Sequence, residues 1–391
     1  MLQACVFAQA TLDVPSSYPD IDAALAVAQP GDLVLVQSGT YPAFTMNVGV
    51  TILAPNGATI ANNGACSHCW AYTQFNPPPG QPGHLVGLQF RSLSAVQPHL
   101  VGVVGGHLTF TDCQFYGGHP AKVDECLSIG AADVVLEGCA VFSSHDGLVS
   151  GGNVVASRSS FAASMIMGTQ APYAIRVTGG RLELNDCSVV GADAYLLGTG
   201  WPAMRVMGGN VSLTDTSVLG GDSVSSLPVP AVLNHSTTPV RHCRSTMIGG
   251  MGFVLPGQAG WQVPGPPVAG LEAAARILTS YGLVEYTSLG APRVGSGYRI
   301  MTRCLPGSLV VVATGELMPS ASVPFALEPL RLNPSTAAVI SAGTADGNGL
   351  FLTASTGPVA VQLFGRTIWF QPVMLEMGAI GIGAPVGGVV Y

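Results

Sequence analysis

Six copies of one eleven-residue pattern constrain what this 391-residue chain can fold into. They read GGHLTFTDCQF from Gly105, AADVVLEGCAV from Ala131, GGNVVASRSSF from Gly151, GGRLELNDCSV from Gly179 and GGNVSLTDTSV from Gly208, with a degenerate TTPVRHCRSTM from Thr237. Successive starts lie 26, 20, 28, 29 and 29 residues apart. A near-fixed period of this length means stacked units, none able to bury its apolar face alone. Each copy alternates with the period of a β-strand. Leu108/Phe110, Val134/Leu136, Val154/Ala156, Leu182/Leu184 and Val211/Leu213 are predicted to point inward, and Thr109, Val135, Val155, Glu183 and Ser212 outward. After a turn, a second short strand turns Cys113/Phe115, Cys139/Val141, Ser159/Phe161, Cys187/Val189, Thr216/Val218 and Ser245/Met247 inward. A third precedes several of the glycine pairs: Val101/Val103, Leu127/Ile129, Ile175/Val177 and Met204/Val206. Three short strands per repeat describe one coil of a parallel β-helix, its neighbours about 4.8 Å away.

Composition agrees. Charged residues are 9% of the chain, hydrophobic ones 48%, and there are 51 glycines and 29 prolines. Disordered chains are poor in apolar residues, and glycine and proline at this density stop long helices. No apolar run reaches the 18 residues that a spanning helix needs. The net charge is −7 and Lys122 is the one lysine, so no basic patch exists to bind nucleic acid.

Three of the nine cysteines, Cys113, Cys139 and Cys187, share a repeat position with Ser159, Thr216 and Ser245. That makes them members of an inward column of small residues and not catalysts. Cys66 and Cys69 flank His68 in C-S-H-C; a local disulfide or two unrelated thiols is favoured over zinc, since no second such pair exists. Residues 1–10 end in Ala8-Gln9-Ala10, like the end of a signal peptide, and suggest bacterial-type export to the cell surface or medium.

The N-terminal segment Tyr18–Ala28 reads as a short amphipathic helix, followed by Gln29-Pro30-Gly31-Asp32, the strand Leu33–Val36 and the turn Ser38-Gly39-Thr40-Tyr41. With the repeats, this opening resembles the pectate-lyase-like right-handed parallel β-helix superfamily over residues 11–255, the helix plugging the open end. Residues 256–270 read as a Pro/Gly-rich linker, and 271–391 as a β-sandwich-like module. Its strands are predicted at Tyr298–Arg303, Ser308–Thr314, Ala337–Ala342, Leu350–Ala354, Val359–Phe364 and Thr367–Pro372, with a short helix at Leu271–Tyr281. The expected class is therefore all-β.

The resemblance implies an exported protein that binds or processes polysaccharide, with Ca2+ held by acidic groups and an Arg or Lys acting as base in a uronate lyase. The best candidate constellation is Lys122, Asp124, Glu125, His145 and Asp146, where Asp124, Glu125 and Asp146 offer metal ligands and Lys122 and His145 proton transfer. His119 sits at the same repeat offset as His145, and Met165, Asp193 and Asp222 continue that column. These residues are equally readable as solvated loops, and no pattern of pectate lyases or polygalacturonases is present. Arg176 and Arg205 occupy equivalent positions on neighbouring coils, where they would grip sugar carboxylates or pair with nearby acids; Arg176 is the alternative base. Trp201, like Trp70, Tyr72 and Phe75, offers either a sugar-stacking ring or core. Asp112, Gly138, Arg158, Asp186, Asp215 and Arg244 form a turn column read as structural, although Asp186 beside Asp215 also offers a cation site. A non-catalytic surface or adhesive rod, with possible self-association, is the competing reading.

Overall fold

The computed structural model describes residues 9–62, 73–92, 99–117, 125–164, 172–193, 200–223, 229–238, 240–243 and 245–253. Beyond these it describes 262–264, 268–270, 283–286, 300–303, 307–315, 317–321, 330–347, 350–352, 367–376, 379–382 and 386–389. The fold is a parallel β-helix followed by a smaller antiparallel unit. Parallel crossovers of this kind take the right-handed path as a rule.

Three faces run along the solenoid. The first carries His107–Thr111, Asp133–Glu137, Asn153–Ser157, Arg181–Asn185, Asn210–Thr214 and Val240–Cys243, paired in parallel and in register. The second carries Gln114–Gly117, Ala140–Ser143, Ser160–Ala163, Ser188–Val190, Ser217–Leu219 and Thr246–Ile248. The third is a nine-stranded sheet that includes His99–Val103, Glu125–Ile129, Leu148–Ser150, Ile175–Val177, Met204–Val206 and Val232–Asn234. Long strands Thr51–Asn62 and Gly83–Ser92 bend from the first face to the second through a register shift. Every inward pair expected for the first face is buried. Between the faces, Phe75 packs edge-on against Phe44, Phe90 and Phe110 at 5.8, 6.3 and 5.5 Å, and Phe90 stacks on Phe115 at 5.1 Å. Phe75, expected as either ring platform or core, is therefore core.

The turn between first and second strands explains the cysteine column. Asp112, Arg158, Asp186 and Asp215 all have φ between 47° and 51°, and Gly138 occupies the same position at 63°. This left-handed turn leaves carbonyl oxygens pointing inward. Cys139 Sγ donates to Phe110 O at 3.4 Å and Glu137 O at 3.6 Å; Ser159 Oγ donates to Ser157 O at 2.9 Å; Thr216 Oγ1 donates to Leu184 O at 3.2 Å and Thr214 O at 2.9 Å. Ser159 Oγ also accepts from Cys139 N at 3.0 Å. The column needs a small side chain carrying one donor hydrogen, which is why Cys, Ser and Thr interchange there. Cys66 and Cys69 lie outside the described residues.

At the N-terminal end, Thr11–Val14 pairs with Leu33–Val36 and starts the stack. The helix is shorter than expected, Ile21–Leu25, capped by Asp20, whose Oδ1 accepts from Ala23 N at 2.8 Å. Ile21, Ala24 and Leu25 bury onto the end of the core. Buried Asp32 accepts from Ala10 N and Gln29 N and fixes the turn into the first full strand. At the other end the solenoid passes beyond residue 255. Val268–Gly270, in the stretch read as linker, pairs in parallel with Val232–Asn234, and Gln262–Pro264 forms a hairpin pair with Met251–Phe253. Proline and glycine around these short strands hid them. The predicted helix Leu271–Tyr281 and the predicted strand Val359–Phe364 lie outside the described residues.

The C-terminal unit contains an antiparallel sheet in which Leu309–Gly315 and Thr367–Glu376 are central, with Ala338–Thr344, Ala379–Ile382 and Val386–Val389 around them. Leu283–Tyr286, Ile300–Arg303 and Leu350–Leu352 form a second sheet. This unit covers part of the first solenoid face, so outward residues there are buried. Val135 and Val155 are fully buried, and Val135 packs with Trp369 and Leu332. Arg331, 1% exposed, reaches Glu183 at 3.8 Å, and Arg181 also pairs with Glu183.

His84 and His107 are buried on the same face. Burial and the neighbouring His107 lower the pKa of His84 to about 3; burial and Arg331 lower that of His107 to about 4, against the pull of Asp133. Asp133 and Glu183 oppose Arg181 and Arg331 on this face, and a protonated imidazole would add a charge beyond that set. A lowered histidine pKa means that the unfolded chain binds more protons below pH 6.5, so stability falls as pH falls. Glu137, raised to about 7 by burial against the pull of Arg158, acts in the opposite sense. We therefore expect the stability advantage of wild type over a His84→Gln/His107→Gln variant to shrink from pH 6.5 to about 4. The change reaches about 1.4 kcal/mol per pH unit per histidine. Urea melts across that range test this, and a pH-independent difference would refute it.

Candidate functional site

The third face carries the cluster of ionisable groups that sequence reasoning sought. Arg176 and Arg205 pair in register on adjacent coils, both outward, as their equivalent offsets required. Glu125 opens its strand opposite His99. Asp146 ends the loop before Leu148–Ser150, one coil further on, and its backbone oxygen accepts from Cys126 N. The Arg176 guanidinium joins both carboxylates: Nη2 contacts Glu125 Oε1, and Nη1 lies 2.8 Å from Asp146 Oδ2. His99 Nδ1 lies 2.8 Å from Glu125 Oε2. Asp146 Oδ1 accepts from Tyr173 N at 3.2 Å, and the Arg205 guanidinium lies over the Tyr173 ring at 5.5 Å.

The two carboxylates are driven apart electrostatically. Burial pushes Asp146 up to about 6, with Arg176 and the Tyr173 amide pulling it down less strongly and the charge of Glu125 adding to the rise. Burial also pushes Glu125 up, but the hydrogen bond and charge of His99 and the charge of Arg176 together outweigh it, and Glu125 ends below its ordinary value. At neutral pH the site therefore offers one firmly ionised carboxylate beside one that takes up a proton readily. The side chains of Arg176, Glu125 and Asp146 keep 28%, 16% and 11% of their surface exposed, so a ligand on this face meets them directly.

Of the residues singled out in the sequence, the structure brings together Glu125, Asp146, Arg176 and Arg205. His145 is buried beside Asp146, its amide donating to Ser143 Oγ at 3.1 Å. Trp201 is partly buried and packs against the core. Lys122, Asp124 and His119 lie outside the described residues, as do Trp70, Tyr72, Met165 and Arg244. Asp193 and Asp222 form a backbone-supporting ladder: Asp193 Oδ1 accepts from Asp222 N, and Asp222 Oδ1 from Met251 N, each at 2.8 Å. In the turn column, Arg158 bonds Glu137 at 2.5 Å. Among the described residues, no three His, Cys, Asp or Glu side chains are grouped to hold a metal ion. His99 and Tyr173 were missed. Both occupy the register position of Glu125 and Asp146, two residues before Val101 and Ile175, but the residue type there varies from coil to coil.

No family model matches the chain, and no curated protein does. Among solved structures it is similar to pectin methylesterase PemA from Erwinia chrysanthemi, at 10% identity and a TM-score of 0.41. It is also similar to a mutant pectin methylesterase in complex with a hexasaccharide, at 11% identity and a TM-score of 0.41. Each alignment covers 61% of this chain and 91% of the other. Among the described residues no helix is long and apolar enough to cross a membrane.

Proposed function

We propose that the protein binds and processes an extracellular acidic polysaccharide on its third face, with Glu125 and Asp146 as a hydrolytic acid–base pair. One observation carries this reading: a single guanidinium holds two carboxylates from successive coils whose proton affinities are pushed in opposite directions. Environments that separate two carboxylates in this way assign one as acid and the other as base or nucleophile. In this reading Asp146 gives a proton to the leaving oxygen, Glu125 attacks or activates water, and Arg176 orients both. Arg205, lying on Tyr173, offers a cation to a sugar carboxylate. Such a substrate belongs outside the cell, in keeping with the export expected from the sequence.

The test is a panel of polygalacturonate, methyl-esterified pectin and alginate, with and without Ca2+. Reducing ends, methanol and unsaturated products are followed separately. Reducing ends or methanol, insensitive to a chelator, support hydrolysis. Unsaturated products that need Ca2+ would replace it with β-elimination, in which Arg176 or Lys122 is the base and Asp124, Glu125 and Asp146 hold the ion. Retention on a glycan without product would leave a binding protein, and neither signal would favour the structural rod.

A further inference from the structure

The second solenoid face carries a separate patch that the site above does not use. Its outward residues form two columns. Thr59, Gln89, Gln114 and Ala140 stand in register in one, and Ala61, Arg91, Tyr116 and Phe142 in the other. The first column is a hydrogen-bonded row: Thr59 Oγ1 donates to Gln89 Oε1 at 3.4 Å, and Gln89 Nε2 donates to Gln114 Oε1 at 2.8 Å. Tyr116 OH donates to the same Gln114 oxygen at 3.1 Å and ties the columns together. In the second column, the Arg91 guanidinium lies over the Tyr116 ring at 5.2 Å. Among the described residues no carboxylate pairs with Arg91. Tyr116 and Phe142 follow each other on adjacent coils, 37% and 45% exposed.

Beside the amide row lies a groove of about 470 Å³, where the long strands bend between faces. Gly57 and Gly87 shape it with φ of 77° and 71°; a Cβ at Gly87 would stand 2.4 Å from Ala54 O. Asn56, Thr59, Gln89, Gln114 and Asp112 supply much of its polar lining.

We propose that this patch is a second glycan-binding site, on which an extended acidic oligosaccharide lies along the solenoid axis. Aromatic rings repeating at the coil spacing of about 4.8 Å present apolar faces to successive pyranose rings. Side-chain amides offer both donors and acceptors, which matches hydroxyl groups and not an apolar partner. Charge complementarity sets the class: in a chain of net charge −7, the patch presents the Arg91 guanidinium, which among the described residues pairs with no carboxylate, suited to a sugar carboxylate. The site holds its ligand without chemistry and keeps a long substrate near the third face.

The experiment uses the full chain carrying Asp146→Asn, titrated with oligogalacturonates and, as the neutral counterpart, cello-oligosaccharides. A tryptophan introduced by Phe142→Trp reports occupancy at the patch itself. Saturable quenching by oligogalacturonate is expected, weakened about tenfold by Tyr116→Ala. Arg91→Gln is expected to erase the preference for the acidic ligand, and Arg176→Ala to leave the quenching intact. Tyr116, Phe142 and Arg91 are exposed, so melting temperatures should not move. Absence of quenching, or quenching lost with Arg176→Ala and not with Tyr116→Ala, would overturn the second site. Product formation on the panel is read independently, so either proposal can fail alone.

Discussion

Asp146→Asn is expected to lower turnover of the acidic polysaccharide by about 10²–10⁴-fold, the usual worth of a positioned acid or base. Glu125→Gln should cost a comparable factor, but the two losses differ in their pH dependence. In wild type, activity should fall above about pH 6, where Asp146 loses its proton. The limb on the acid side belongs to Glu125, which is held ionised to lower pH. Asparagine retains the Oδ1 that accepts from Tyr173 N, so the loop should keep its shape while the titrating proton is removed. The residual rate of Asp146→Asn should therefore no longer fall through pH 6. A basic limb that persists near pH 6 in this variant would remove Asp146 from the acid role. His99→Gln provides a further check: with the imidazole gone from Glu125 Oε2, the acid limb should move to higher pH.

A large stability effect is expected at Phe110, inside the aromatic cluster. It is fully buried and touches Phe75 at 5.5 Å and Phe115 at 5.4 Å, both edge-on. Phe110→Ala should cost about 3–5 kcal/mol, the range for deleting a buried ring whose neighbours cannot collapse onto the cavity. Collapse is restricted here because the Cα positions around the ring are fixed by parallel pairing on both sides, Leu136 above and Leu85 below. Phe161→Ala removes a ring of equal burial that has no aromatic contact in this cluster, and should cost less by about 0.5–1.5 kcal/mol per lost ring pair. Urea midpoints of the two variants, compared with exposed Phe142→Ala, measure this. Equality of Phe110→Ala with Phe142→Ala would contradict the packing.

The solenoid was legible because its order is local. Period-two alternation gives each strand an inside, and repeated offsets give the stacking partner, so Leu108, Val134, Val154, Leu182 and Val211 could be aligned before any coordinates. Arg176 beside Arg205 followed from the same arithmetic. What repeat arithmetic cannot supply is the course of a loop between strands. Glu125 and Arg176 are 51 residues apart, and they meet because an outward arginine reaches across an intervening coil. His99 and Tyr173 join them from the same register position, two residues before Val101 and Ile175, where the residue type changes from coil to coil. The cover on the first face was missed for a different reason. Val135 and Val155 broke the polar outward pattern, which was a signal of contact, but its origin in Trp369 and Leu332 lies some 200 residues downstream in a segment without repeats.

The thiol column has a consequence for how this molecule comes apart. Cys113, Cys139 and Cys187 are buried, and burial pushes the first and third up to about 12 and the second well above its ordinary value. A protonated, enclosed sulfur does not react with alkylating reagents. Each thiol sits in a different coil and becomes available only when that coil opens. The three sulfurs are thus built-in timers distributed along the rod. Their separate labelling rates under native conditions would show whether the stack frays from an end, coil by coil, or lets go all at once.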